Sequence, residues 1–265
     1  MKKSLLPFGM FCFLFFSACN NDTDQSSGDN NPPSTPIISY NVVSAQPHDT
    51  SYFTEGLEFY KGSLLESTGN YGQSKLVLKD LLSDKILKQI KLDDKYFGEG
   101  VTVFNDTVYQ LTYKENEVLL YNAKDFKLLK KLPFNGEGWG LTNDGQQLIA
   151  SNGSNNLYFY QPGTFKLLRT QAVTDNGAPA VNLNELEYIN GFVYANQWQY
   201  NYILKIDPKS GEVVGKMDFT DLIRQVKAKD PNSEFFNGIA YNPQTKKVYI
   251  TGKNWPQIFE VQFSF

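Results

Sequence analysis

The chain has 265 residues, a formal charge of −3, and 20 Phe and 16 Tyr within a hydrophobic content of 41%. That composition is globular, and its richness in aromatics leans towards β structure. The slightly acidic balance offers no basic surface for nucleic acid, and a single His leaves no Ser-His-Asp or Cys-His arrangement and no His/Cys cluster for zinc.

The N-terminus reads as a targeting segment. Lys2 and Lys3 precede an apolar run over residues 5–16, which is too short for a comfortable membrane span. Phe16-Ser17-Ala18-Cys19 follows. A small pair before Cys at this place resembles a bacterial lipoprotein signal, in which the Cys becomes the first residue and is acylated. The alternative is an ordinary secretory signal with a chance Cys. The lipoprotein reading predicts a signal peptide over 1–18, lipidation at Cys19, and a protein exported to the cell envelope, periplasmic or associated with the outer membrane. Cleavage removes Cys12 and acylation occupies Cys19, so no internal disulfide is expected and packing must supply the stability. The sequence NNDTDQSSGDNNPPSTP then has no apolar periodicity. It predicts a flexible tether over 19–36 that holds the following domain, 37–265, off a membrane surface.

From residue 37 the chain repeats. A first half-unit recurs five times: GLEFYKGSLLEST from Gly56, GVTVFNDTVYQLTY from Gly100, GLTNDGQQLIASNG from Gly140, ELEYINGFVYANQW from Glu185 and GIAYNPQTKKVYITGK from Gly238. Each is an apolar strand, a polar tight turn (KG, ND, DG, NG, or the longer NPQTKK) and a second alternating strand. A second half-unit of two strands follows the first four copies, beginning KLVLKD, EVLLYN, NLYFYQ and YILKID. Four antiparallel strands per unit, five times over, predict an all-β five-bladed β-propeller. Helical solenoids would need long 3.6-period stretches, and a sandwich would not need five similar units. The segment TDLIRQVKAKD, 220–230, predicts a helical insertion. The fifth copy ends at IFEVQFSF without a fourth strand, so IISYNVVSAQP, 37–47, is expected to complete the last blade and close the ring.

Where the repeats diverge, they predict a site. The residue just before the first strand of each unit is Glu55, Glu99, Trp139, Asn184 or Asn237; the residue ending the second strand is Gly69, Tyr113, Gly153, Trp198 or Lys253. Because the two strands are antiparallel, both sets of five meet at one mouth of the channel. Carboxylates, amides, an amine and large aromatics together make apolar walls with a few convergent polar groups, the composition of a pocket. Singly, each also fits a blander role: solvated acids for Glu55 and Glu99, blade packing for Trp139 and Trp198, a surface charge for Lys253, and turn stabilisation for Asn184 and Asn237, for Asn237 the expected role. Glu55 and Glu99 form a pair able to hold a hard cation, but nothing requires one. There is no P-loop and no dinucleotide fingerprint, so no cofactor is expected.

The motifs FTEGLEF, ESTGNYGQS, FGEGVT, EGWGLTNDG, LNELEYINGFVYANQW, NGIAYNP and TGKNWPQIFEV, spread in order over residues 53–263, resemble the glutaminyl cyclases of the plant and bacterial type, also called glutamine cyclotransferases. The resemblance implies a five-bladed propeller. It also implies a metal-independent reaction in which the α-amine of an N-terminal glutamine attacks its own side-chain amide, releasing ammonia and leaving pyroglutamate. Carried over residue by residue, it makes Glu99 the proton carrier, and Asn184 and Lys253 the ligands of the substrate carbonyl or its oxyanion. Trp139 and Trp198 become walls for the glutamine side chain, and Phe53, Glu55 and Phe97 shape the rim. Tyr113 stands where plant relatives carry Trp and would supply a further wall. The implied partners are peptides or proteins with N-terminal glutamine, and a monomer is expected. The competing reading is a non-catalytic lipoprotein propeller that captures peptides or glycans. The set Glu99, Asn184 and Lys253 favours the enzyme, because a binder has little need of all three. A lactonase-type metal hydrolase would need more axial acids than Glu55 and Glu99.

Overall fold

The computed structural model describes residues 34–265. The predicted signal peptide, the lipidation site Cys19 and most of the predicted tether lie outside them.

Twenty-two strands and one helix follow in chain order. The closing strand β1 (Tyr40–Pro47) comes first, then blade one, β2 (Thr54–Tyr60), β3 (Ser63–Thr68), β4 (Lys75–Asp80) and β5 (Lys85–Lys91). Blade two is β6 (Gly98–Phe104), β7 (Thr107–Thr112), β8 (Glu117–Asn122) and β9 (Leu128–Pro133). Blade three is β10 (Leu141–Asn143), β11 (Leu148–Ala150), β12 (Asn156–Gln161) and β13 (Lys166–Ala172), followed by a small hairpin, β14 (Thr174–Asp175) and β15 (Ala178–Pro179). Blade four is β16 (Leu183–Ile189), β17 (Phe192–Gln197), β18 (Tyr202–Ile206) and β19 (Val213–Asp218). The helix α1 (Thr220–Lys229) then leads to the last blade, β20 (Phe236–Asn242), β21 (Lys247–Gly252) and β22 (Gln257–Phe263).

The strand order β1-β22-β21-β20 makes the N-terminal strand the outermost of the fifth blade, as the truncated last repeat requires. Tyr40 pairs with Phe263 and Pro47 with Gln257, so the two ends of the domain zip together. The innermost strands pack in a closed ring, β2 on β6, β6 on β10, β10 on β16, β16 on β20, and β20 back on β2.

Period-2 alternation drives the assembly. Successive side chains of a strand point to opposite faces of its sheet, and in a propeller each face meets a different neighbouring blade. Thus Leu64 of β3 enters the cluster shared with blade five, and Leu65 the cluster shared with blade two. Val108 and Tyr109 of β7 divide in the same way between blades one and three. So do Val193 and Tyr194 of β17, between blades three and five. Five apolar clusters result, one at each blade-to-blade interface. The fourth strands lie outermost and mostly exposed, and Lys85, Lys88, Lys91, Lys130 and Lys131 keep these edges charged.

Two elements depart from the repeat reading. In blade three, β10 and β11 are only three residues each, and the hairpin β14–β15 stands outside the four-strand unit. Its turn residues Asn176 and Gly177 both take positive φ, the backbone of a type I′ turn. Two-residue strands are too short to leave a periodic signal. At the other end, the predicted helical insertion is α1, which buries Leu222, Ile223 and Val226 in the interface of blades four and five. Its N-cap, Phe219, makes no side-chain cap bond, and Asp218 just ahead of it accepts the Thr220 N–H at 2.9 Å in a local Asx turn.

Candidate active site

The divergent residues expected just before the inner strands sit there only in blade three. In four blades they lie within them, at irregularities of the ladder. In β2, Thr54 pairs with Thr68 but Gly56 with Ser67, leaving Glu55 unpaired between them. The same slip falls between Gly98 and Val101 in β6, Leu183 and Leu186 in β16, and Phe236 and Ile239 in β20, placing Glu99, Asn184 and Asn237. One extra residue in one strand is a β-bulge, which bends the strand and re-aims a side chain. Here it turns one polar residue per blade towards the mouth. Trp139 occupies the corresponding place ahead of β10.

Bonds between blades fix the bulged backbone. Ser67 donates its hydroxyl to the Glu99 carbonyl at 2.5 Å, and Ser151 donates to the Asn184 carbonyl at 2.6 Å. Asn196 accepts the Gly238 N–H at 2.8 Å. Glu185, which replaces the glycine found after the ring residue in the other four units, reaches across the axis. Its carboxylate accepts N–H groups from Leu57 of blade one and Ile239 of blade five, at 3.1 and 2.8 Å.

Most of the divergent residues line a cavity of about 210 Å³ that opens to solvent. Every residue predicted for the site lines it: Glu99, Asn184 and Lys253, with Phe53, Glu55 and Phe97, and with Tyr113, Trp139 and Trp198. The aromatic wall is continuous on two sides. Phe97 packs against Phe53 at 6.1 Å and Tyr113 at 5.6 Å between ring centroids; Trp139 meets Trp198 edge to face at 5.5 Å. Gly69 and Gly153 make room for this wall. A Cβ on Gly69 would come within 2.3 Å of the Phe97 ring, and one on Gly153 within 2.6 Å of the Trp139 ring.

Phe235 completes the lining, and the sequence reading missed it. Its ring lies 5.5 Å from Trp198. The signal was present, because Phe235 stands two residues before Asn237 as Phe53 stands before Glu55 and Phe97 before Glu99. The backbone repeats the same relation: Phe53, Phe97 and Phe235 each accept the N–H of the residue across the bulge, Gly69, Tyr113 and Lys253. The loop after α1 delivers Phe235, with the Glu234 N–H bonded to the Lys253 carbonyl at 2.9 Å.

The polar floor is buried. Glu55, Glu99, Asn184 and Lys253 are 2%, 5%, 3% and 6% exposed. Lys253 Nζ donates to Glu55 Oε1 at 2.6 Å and also lies 4.6 Å from the centroid of the Phe53 ring. Asn237 corrects an expectation: it stabilises no turn, but is fully buried and donates Nδ2 to the Thr54 carbonyl at 3.0 Å and to Glu55 Oε2 at 3.2 Å. Burial pushes the Glu99 carboxyl well above the ordinary carboxylate range; the adjacent Glu55 charge pushes it further, against a partial offset from Lys253. Burial also raises Glu55, with Lys253 working against it. The Oδ1 atoms of Asn184 and Asn237 have no hydrogen-bond partner within the protein. Among the described residues, no group of three or more His, Cys, Asp or Glu side chains is placed to hold a metal ion.

A five-bladed propeller with one buried acid pair, an amine and an amide inside an aromatic wall is a fold and site of restricted kind. The sequence profile described as glutamine cyclotransferase matches residues 12–263. The chain belongs to the glutamine cyclotransferase family. It is 37% identical over 256 residues to a glutaminyl-peptide cyclotransferase of Arabidopsis thaliana, an alignment covering 94% of this chain and 79% of that protein. Its fold is similar to the crystal structure of the glutaminyl cyclase of Myxococcus xanthus, with a TM-score of 0.80 and 34% identity over 86% of this chain and 98% of that one.

Proposed function

We propose that the protein is a glutaminyl-peptide cyclotransferase, converting the N-terminal glutamine of peptides or proteins to pyroglutamate with release of ammonia. Membership of the family supports the reaction. The single observation that carries the mechanism is Glu99, a buried carboxyl raised well above its usual range at the floor of an aromatic cavity.

The free α-amine of a peptide titrates near ~7.7–8.0, so near neutral pH it arrives largely as an ammonium. A carboxylate of ordinary acidity would hold that proton poorly. Glu99 is closer to a match, and proton transfer is most effective when the carrier titrates near the working pH. The amine attacks as the free base, its ammonium proton lost to solvent, and its nitrogen adds to the side-chain amide carbon beside the protonated Glu99. The C–N bond of the lactam forms and the carbonyl oxygen becomes an oxyanion. Glu99 then gives its proton to the amide nitrogen and takes one from the ring nitrogen, the oxyanion re-forms the carbonyl, the old C–N bond breaks, and ammonia departs.

Asn184 and Lys253 are the groups for the carbonyl oxygen and the oxyanion, where fixed donors in a dry site act most strongly. Trp139, Trp198, Tyr113 and Phe97 hold the glutamine side chain folded back on its own amine, replacing a search among rotamers by one bound geometry. Proton carrier, donors and walls are all protein side chains, so this route needs no metal.

The same proposal places the protein in the cell envelope, exported and anchored through Cys19. What supports it is the Lys2-Lys3, apolar run and Ser17-Ala18-Cys19 pattern of the sequence. A Cys19→Ala variant found in the soluble fraction, with the wild type in the membrane fraction, is the outcome expected.

Mass spectrometry of a peptide with N-terminal Gln, incubated with residues 34–265, tests the reaction. A loss of about 17 Da, the mass of ammonia, far above the spontaneous rate and unaffected by chelator, is expected. No acceleration by the folded protein would leave a binding propeller as the reading.

A further inference from the structure

The role of Glu55 is open in the mechanism above, although it is as deeply buried as Glu99 and lines the same cavity. Its surroundings argue against a substrate contact. Oε1 is taken by the Lys253 ammonium at 2.6 Å, and Oε2 by the Asn237 amide at 3.2 Å. Glu99 lines the same dry cavity beside it, and each carboxyl bears on the titration of the other. Both oxygens therefore face protein partners. Two carboxyl groups this close and this dry cannot both ionise cheaply. One proton between them turns repulsion into a hydrogen bond, and the single ammonium of Lys253 balances the one charge that remains.

We propose that Glu55 and Glu99 work as one unit sharing a single proton beside the Lys253 ammonium, with Glu55 a positioning residue that sets the protonation of Glu99 and not a group that binds glutamine. The proposal rests on the cyclase reading for its kinetic consequence only.

The charges around the pair agree with this division. Glu55 faces Lys253 and Asn237 from blade five, and Glu234 from the loop after α1. Glu99 faces Glu55, Lys253 and, from the loop after β7, Glu115. The one cation is bonded to Glu55, so the charge settles there and the proton on Glu99. Glu99 is thus the member able to pass a proton to substrate, and Glu55 the fixed charge that keeps it protonated. Burial and the Glu55 charge both push Glu99 upward, in the direction this arrangement requires.

Glu55→Gln is the test, because the amide keeps the shape and an oxygen for Lys253 while removing the charge. In the pH profile of kcat/KM for a Gln-initiated peptide, the limb belonging to Glu99 is expected to move down by at least about one pH unit. The limb belonging to the substrate amine stays where it is. An infrared titration of the protonated carboxyl band, taken as the difference from Glu99→Gln, reads the same shift without needing turnover. It therefore separates a failure of this proposal from a failure of the cyclase reading. Superimposable titrations of Glu99 in wild type and Glu55→Gln would overturn the proposal, whether or not the protein cyclises glutamine. Circular dichroism of the variant confirms that a folded protein was compared.

Discussion

Lys253 and Glu55 stand 198 residues apart in the chain and 2.6 Å apart in the fold. The contact joins the last blade to the first, at the seam where the ring closes, and it lies on the floor of the candidate site. A second contact spans the same seam: His48 bridges the Trp255 carbonyl at 2.8 Å and the Glu66 carboxylate at 2.9 Å. Closure of the ring and assembly of the site are therefore one event.

Replacing Glu99 by Gln should abolish cyclisation while leaving the fold intact. The amide fits the space but carries no proton between nitrogen atoms. A loss of roughly 10²–10⁴ in kcat is expected for a positioned general acid–base. Near-normal turnover by mass spectrometry would remove Glu99 from the mechanism.

Lys253→Met should lower stability as well as activity, because it leaves the buried Glu55 charge without its partner. Breaking a buried pair from one side costs on the order of 3–5 kcal/mol when the remaining group stays charged, and less if it takes up a proton. Adding Glu55→Gln should restore much of the lost Tm. Additive losses in the double variant would mean that the pair is not coupled.

Trp198→Ala and Phe235→Ala should each raise KM, by up to roughly tenfold, because each removes apolar wall that bound substrate would cover at roughly 25 cal/mol per Å². Phe235 is the sharper case, since it was not among the residues expected to form the site. Steady-state kinetics on a short Gln-initiated peptide decides. An unchanged KM for either variant would place that ring in packing alone.

The channel axis makes a prediction about stability and pH. Burial raises Glu58 to about 7, against hydrogen bonds from Thr102 and the Val103 N–H. Burial and a neighbouring carboxylate, Glu187 and Glu58 respectively, push Glu185 and Glu187 well above the ordinary range. These groups hold protons in the folded state that they release when unfolded. Stability is then fullest below the ordinary glutamate value and falls as pH rises through the folded values. For Glu58 the loss between pH ~4.3 and pH 7 is about 3 kcal/mol at most. Thermal unfolding should show a Tm that declines from pH 5 to pH 8, and a shallower decline in Glu58→Gln. A Tm that rises over that range would contradict the assignment.

Much of this molecule is legible without coordinates because a repeat is a spatial statement. Five copies of one unit announce the blades, and the missing fourth strand of the last copy announces that residues 37–47 must supply it. Aligning the copies brings Glu55, Glu99, Asn184 and Lys253 to one mouth. Phe235 is legible by the same alignment, two residues before its ring position, whereas Phe53 and Phe97 were expected at the site only through the family resemblance.

Other features have no sequence signal to read. Bulges arise from the register between two strands, so the turning of Glu55 or Asn184 into the cavity depends on pairing that no single strand encodes. The burial of Asn237 against Glu55, and the single proton that Glu55 and Glu99 are proposed to share, depend on distances of a few ångströms across blades. Electrostatic coupling varies steeply over such distances and with the exclusion of water. The sequence by itself determined the blades, their closure and most of the lining of the cavity, because period and repeat are properties of the chain. Only the tertiary structure decided which carboxyl is paired and which is raised, because charge state is a property of the surroundings.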